Sequence, residues 1–349
     1  MSNYLQLRKF NEINLSDTFF DTLKEDYLEF TDWFNRKKDN EAYILEDNGM
    51  QGFLYIKSEV GPITDVKPVI QSSKCLKIGT LKINPHGTRL GERFIKKALD
   101  HATHDNAEVI YVTIFPKHAY LIELLKKYGF EEHGIKKTHN GEELVLIKHL
   151  TTHRDDIYLD YPRFHTNSAE KYLLAIYPDY HTKLFPDSIL KNETFDILED
   201  TSHTNSIHKI YICRMKQVQA MNKGDIVIIY RTGDSQGPAE YRSVATSLCI
   251  VEEVKCKDSF TNFDSFYNYV KDYSIFTKNE LISWYNKNKY LYTIKMTYNA
   301  AFKKRLTRSR LINEIGIERE TYWGFINLTN IQLQNILEKG EVNESLIID

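Results

Sequence analysis

Between residues 75 and 130 the chain alternates strand-like and helical stretches in an order that few architectures accommodate. A strand-like run ending Lys77-Ile78-Gly79-Thr80-Leu81-Lys82-Ile83 passes through Asn84-Pro85-His86-Gly87-Thr88-Arg89. It enters a stretch where Leu90, Phe94, Ile95, Ala98, Leu99 and Ala102 recur at helical spacing. Val109-Ile110-Tyr111-Val112-Thr113-Ile114-Phe115 reads as a second strand. Ala119, Ile122, Leu124 and Leu125 then mark a second helix, stopped by Gly129. A turn feeding a helix exposes unpaired backbone N–H groups at the positive end of the helix dipole, which makes it a ready anion site.

The flanking sequence extends the pattern. Residues 3–10 and 41–57 are strand-like, with Asp47-Asn48-Gly49 as a hairpin turn, and helical stretches at about 16–25 and 27–36 precede that hairpin. Residues 58–73 carry Gly61-Pro62, Pro68, Ser72 and Ser73 and read as an exposed loop, a common place for substrate contacts. Strands at about 130–136 and 142–149 are joined through Asn140-Gly141. The expected order is strand, helices, three strands, helix, strand, helix, two strands.

That order, the glycine-bearing turn and the Tyr128-Gly129-Phe130 ending resemble the GNAT acetyltransferases over residues 1 to 150. The resemblance implies a mixed central sheet with flanking helices and an acetyl-CoA site. Its phosphate-binding residues fall on His86, Gly87, Thr88, Arg89, Leu90, Gly91 and Glu92, although Arg89 stands where the family carries its central glycine. Backbone donors of Leu81, Lys82 and Ile83 on the splayed fourth strand are implied beside the thioester carbonyl. The family's tyrosine, which protonates the leaving thiolate, falls on Leu125. Tyr120 and Tyr128 are the nearby replacements, and His118, at the family's asparagine, faces cofactor or substrate.

With 349 residues, the chain is long enough for two cores. A polar segment, 151–164, is read as a linker between a domain at 1–150 and a second at 165–349. The second half is strand-rich, with runs at 172–176, 208–212, 225–230, 241–254 and 290–296. Short helices are expected at about 214–221, 261–272, 278–286 and 329–338, the third opened by the capping box Thr277-Lys278-Asn279-Glu280. Met221-Asn222-Lys223-Gly224-Asp225 ahead of a strand, with Val251-Glu252-Glu253-Val254 ending the next, resembles the PUA-like barrels, in particular their ASCH and EVE relatives. The fold class expected is therefore α+β or α/β in two domains, a GNAT-type sheet followed by a PUA-like β-barrel with short helices.

A net charge of −2 excludes a globally basic nucleic-acid binder but leaves room for a local patch. The PUA-like resemblance implies RNA binding, with Lys303, Lys304, Arg305, Arg308 and Arg310 on phosphates and Lys209, Arg214 and Arg231 at the cleft. Trp284 and Trp323 read as core residues before base-stacking ones. The four cysteines, which form no Cys-x-x-Cys pair, read as buried thiols, and no metal site is expected. No apolar run is long enough to span a bilayer and the start is unlike a signal peptide, so a cytoplasmic location is expected. The leading reading is an acetyl-CoA-dependent N-acetyltransferase to which the second domain presents RNA, tRNA or an RNA-bound substrate. Two alternatives stand beside it: an acetyltransferase of proteins or small molecules whose barrel serves fit or homodimerisation, and a non-catalytic acyl-CoA or RNA sensor.

Overall fold

A computed structural model describes residues 5–84, 89–188 and 206–349. The chain forms two compact units, Met1–Asp160 and Tyr161–Asp349. The division falls inside the segment read as a linker, and the part before it is folded: Lys148 Nζ donates to the Leu159 carbonyl at 2.5 Å, and the Asp160 carboxylate accepts from the Arg154 and Asp156 amides.

In the first unit the elements are β1 (Gln6–Lys9), α1 (Asp21–Asp26), α2 (Phe30–Arg36), β2 (Glu41–Glu46), β3 (Met50–Val60), β4 (Lys74–Ile83), α3 (Leu90–His104), β5 (Val109–Ile114), α4 (Ala119–Lys127), β6 (Glu131–Thr138) and β7 (Gly141–His149). This is the order read from the sequence. The seven strands make one sheet, β1-β2-β3-β4-β5-β7-β6, in which only β4 and β5 run parallel. Asn48 and Gly49 take positive φ in the β2–β3 turn, and Gly129 does so after α4.

Alternation along the strands assigns the two faces. Phe53 and Tyr55 of β3 pack on Phe10, Phe20, Phe30 and Phe34, so α1 and α2 cover that face. On the same face Cys75, Tyr111, Val145 and Ile147 pack with Ile63, Val66 and Ile70. The segment 61–73 is therefore an anchored cover: three of its apolar side chains enter the core, and Lys67 is bridged to Ile135 of β6. Its remaining residues are exposed or half-buried, and the loop is pinned to the sheet by those three anchors. Helix α3 lies on the opposite face, where Phe94 occupies the space a side chain at Gly52 would need.

The second unit comprises β8 (Phe164–His165), β9 (Lys171–Ile176), α5 (Pro178–Leu184), β10 (His208–Cys213), β11 (Ile226–Arg231), α6 (Ala239–Arg242), β12 (Val244–Cys256), α7 (Phe263–Val270), α8 (Lys278–Lys287), β13 (Tyr292–Thr307), α9 (Arg308–Asn313), β14 (Phe325–Asn327), α10 (Asn330–Lys339) and β15 (Ile347–Ile348). Its main sheet runs β10-β13-β12-β11-β9-β14, and β15 pairs with β8. The strand-rich α/β character matches expectation, with no closure into a barrel among the described residues. Two strand limits differ. Tyr241 and Arg242 belong to α6, and β13 continues to Thr307, because its basic segment pairs with β12 through Leu306 and Thr307. The capping box at Thr277 forms, Glu280 accepting from the Thr277 amide at 2.7 Å.

Candidate functional site

The sheet of the first unit opens at one place. Strands β4 and β5 pair only from Cys75↔Val109 to Ile78↔Val112. Immediately beyond, the β3–β4 register slips, Tyr55 facing Thr80 and Ile56 facing Ile78, which leaves Gly79 as an extra residue on β4. Such a bulge bends and twists its strand, and here it turns β4 away from β5. Glycine suits the position, since a Cβ there would lie 2.8 Å from the Tyr55 ring.

From Thr80 onward β4 keeps β3 on one side and no strand on the other. The Asn84 amide donates to the Gln51 carbonyl. Antiparallel pairs alternate, so Lys82 and Thr80 also direct their backbone groups at β3. Leu81 and Ile83 consequently direct theirs into the gap β5 has left. A cavity of about 1030 Å³ fills that gap, lined from both faces of the sheet.

On the α3 face the lining includes Ile83, Asn84, Arg89, Gly91, His118, Tyr120 and Leu124. Of the cofactor residues expected from the sequence, Leu81, Lys82, Ile83, Arg89, Gly91 and His118 line this cavity. Leu90 and Glu92 do not: Leu90 is buried, and the buried Glu92 carboxylate takes a hydrogen bond from Lys127 at 3.1 Å. His86, Gly87 and Thr88 lie outside the described residues. Gly91 has a packing role as well, because a Cβ would fall 2.5 Å from Leu124 of α4.

Among the expected catalytic residues, His118 precedes α4 with Nε2 3.3 Å from the Asp26 carboxylate, and Tyr120 is exposed at the cavity. Tyr128 is completely buried and does not line it. The C-terminal turn of α4 directs Tyr128 into the core, which corrects its reading as a general acid.

The opposite face carries groups that the sequence reading missed. Tyr27, Trp33, Tyr55, Lys57, Glu59, Lys77, Lys136 and Glu143 line it. The Tyr27 hydroxyl donates to the buried Glu143 carboxylate at 2.5 Å, and burial together with that carboxylate raises the phenol pKa well above its ordinary range. Tyr27 is therefore a fixed donor. Burial would raise Glu59, but hydrogen bonds from Lys57 (2.9 Å) and from the Tyr111 hydroxyl outweigh it and hold the carboxyl low. Lys77 sits 5.4 Å from the Tyr111 ring centroid, and burial, then the neighbouring Lys136, lowers its pKa. A signal for Glu143 existed: it shares strand parity with Val145 and Ile147, so the register that buries those two also buries the carboxylate.

In the second unit the expected phosphate contacts separate. Lys209 and Arg231 are buried, Lys209 lying 5.5 Å from the Tyr298 ring centroid, so neither presents its charge at the surface. Both faces of β10 and β11 are covered, so every side chain of these strands is buried whichever way it points. Arg310 is held by Glu314 at 2.7 and 2.9 Å, and Arg308 stacks on Trp323 at 4.4 Å. Arg305 is half-buried, while Arg214, Lys303 and Lys304 are exposed. Cys75, Cys213 and Cys249 are buried thiols and Cys256 a partly exposed one. Among the described residues no cluster suited to a metal occurs, and no helix is long and apolar enough to cross a membrane.

No protein-family model and no curated protein matches this sequence. Solved structures that it is similar to fall into two groups, GNAT acetyltransferases and ASCH proteins. The ASCH protein from Zymomonas mobilis matches at 7% identity and a TM-score of 0.34, over 48% of this chain and 94% of its own. A GNAT-family acetyltransferase from Streptococcus agalactiae matches at 13% and 0.32, over 44% of this chain and 100% of its own. Chaetomium thermophilum Naa20 in complex with a bisubstrate analogue matches at 15% and 0.32, over 42% and 86%.

Proposed function

We propose that the first unit transfers an acetyl group from acetyl-CoA to an amine. The observation that carries this reading is the β4–β5 gap, with the Leu81 and Ile83 backbone at its edge and a cavity reaching both faces of the sheet. The residues present suit the cofactor. Arg89 and the start of the fifteen-residue α3 offer charge and amides to a pyrophosphate, and the open edge of β4 offers amide hydrogens to an extended pantetheine arm. When bound, acetyl-CoA supplies an acyl carbon activated as a thioester, which an amine attacks with release of the thiol.

The chain's own groups then have distinct tasks. Amides of the β4 edge stabilise charge developing on the acyl oxygen. An incoming ammonium must lose a proton before its nitrogen can attack, and Glu143, oriented by Tyr27, is the carboxylate placed to receive it. Tyr120 and His118, at the mouth of α4, stand on the side where the thiol leaves. The second unit is assigned to holding an RNA or RNA-linked acceptor through its exposed Arg214, Lys303 and Lys304.

The test is direct. Calorimetry should detect acetyl-CoA binding, and thiol release should depend on added amine; binding without amine-dependent release at any pH would leave a sensor rather than an enzyme. RNA retention should weaken in K303E/K304E and fall with rising salt. Retention indifferent to both would remove the RNA assignment and favour a small acceptor.

A further inference from the structure

The charged groups in the cavity divide into those held in ion pairs and those outside them. Lys57 donates to Glu59 at 2.9 Å, Lys136 to Asp65 at 2.5 Å, and Lys117 to Asp26. Among the described residues Lys77 and Glu143 have no ion-pair partner within 4 Å: Lys77 lies over the Tyr111 ring, and Glu143 accepts from the neutral Tyr27 hydroxyl. Lys37 over the Tyr55 ring and Lys82 donating to Thr22 are two further cations of the lining outside ion pairs. Both line the same cavity and belong to the same sheet face, Lys77 beside Tyr111 and Glu143 in the parity of Val145 and Ile147. Along the sheet, Tyr111 faces Ile147, so Glu143 lies four residues further toward the open end, about 13 Å of strand rise. Their flexible side chains close much of that distance. Trp33 and Tyr55 line the same cavity.

We infer that the acceptor carries an anionic oxygen group, carboxylate or phosphate, a few bonds from its amine, with Lys77 binding the anion and Glu143 the amine. This rests on the amine-transfer reading above. The reason is electrostatic complementarity: a cation and a carboxylate held apart in a partly dry cavity each favour a ligand that brings the opposite charge, and one molecule bearing both satisfies the pair. An amine without an anion would leave Lys77 only the more distant Glu59 and Asp65 carboxylates, which are already hydrogen-bonded to Lys57, Tyr111 and Lys136, and binding would weaken accordingly. Burial depresses the Lys77 pKa, so an arriving anion would also hold its proton more firmly.

The experiment uses the full chain and matched ligand pairs: L-amino acids against their carboxamides, and phosphoethanolamine against ethanolamine, titrated calorimetrically at saturating CoA. The anionic member of the fitting pair should bind at least about tenfold tighter. Lys77→Met should erase that difference, Lys77→Arg should retain most of it, and Glu143→Gln should weaken both members alike. Equal affinity within every pair, no measurable binding by either kind, or an anion preference that survives Lys77→Met overturns the inference. Thiol release run in parallel keeps the two claims apart. Anion preference without any transfer removes the reaction and keeps the site, whereas transfer to amines with no anion preference does the reverse.

Discussion

Gly79 and Leu81 decide the site at the residue scale. Replacing Gly79 by valine places a Cβ 2.8 Å from the Tyr55 ring, so either the ring or the bulge must move. A loss of about 1–3 kcal/mol is expected in chemical denaturation, together with weakened acetyl-CoA binding by calorimetry. Leu81→Pro is a cleaner probe, because proline removes an N–H that the ladder with β3 does not use. We expect kcat to fall by about 10²–10³-fold with CoA affinity nearly unchanged; an unaltered kcat would mean that the edge of β4 does not face the acyl oxygen. Of these residues, Leu81 was singled out by the GNAT resemblance and not by spacing. The bulge at Gly79 was not, since an unpaired residue is defined by the partner strand. Tyr128 shows the converse: its chemistry made it a candidate, and its direction at the end of α4 removed it.

Element boundaries followed local signals, whereas the way elements meet did not. The hairpin glycines, the Thr277 cap and the helical spacing of α3 all appear where the sequence placed them. Gly91 read as a phosphate residue, and it also lets α3 approach α4 at Leu124. Gly91→Val should therefore lower stability by about 1–3 kcal/mol even in protein free of ligand, which separates packing from binding. A second contact ties the α1–α2 corner to the β6–β7 turn: Asn140 donates to both Glu29 oxygens at 3.0 and 2.8 Å and accepts from the Leu28 amide. Asn140→Ala should cost about 1 kcal/mol and speed hydrogen exchange at residues 27–29, where Tyr27 meets Glu143. Unchanged exchange there would show that the corner is held by packing alone. The prolines and glycine of segment 61–73 signalled its irregular, largely exposed course, but not its anchoring, because burial of Ile63, Val66 and Ile70 depends on what lies beneath.

At the scale of the whole molecule, the buried charges of the second unit set its acid tolerance. His181, completely buried and hydrogen-bonded to Thr246 at 2.8 Å, has its pKa pushed down to about 3 by burial and then by Arg231 and Arg305. Glu252 is buried, which alone would raise its pKa, yet hydrogen bonding and charge from His208 and Lys295 bring it down to about 2. In both cases the unfolded chain binds more protons than the folded one, so stability falls with pH. The His181 contribution is lost between its ordinary 6.5 and about 3, and the Glu252 contribution between 4.5 and about 2. Denaturation of the full chain across that range should show Glu252→Gln flattening only the lower part of the slope; an unchanged slope would show that other carboxylates control it. By itself the sequence determined the order of elements in the first unit, the hairpin turns, the Thr277 cap and the presence of two cores, because spacing, glycine and capping act over a few neighbouring residues. Only the tertiary structure decided that β4 parts from β5 at Gly79, that Lys77 and Glu143 share a cavity, and that Lys209 and Arg231 are withdrawn from the surface. The first two facts depend on strand register between segments far apart in the chain, where a shift of one residue would reverse which side chains face the core, and the third depends on the elements that cover both faces of β10 and β11.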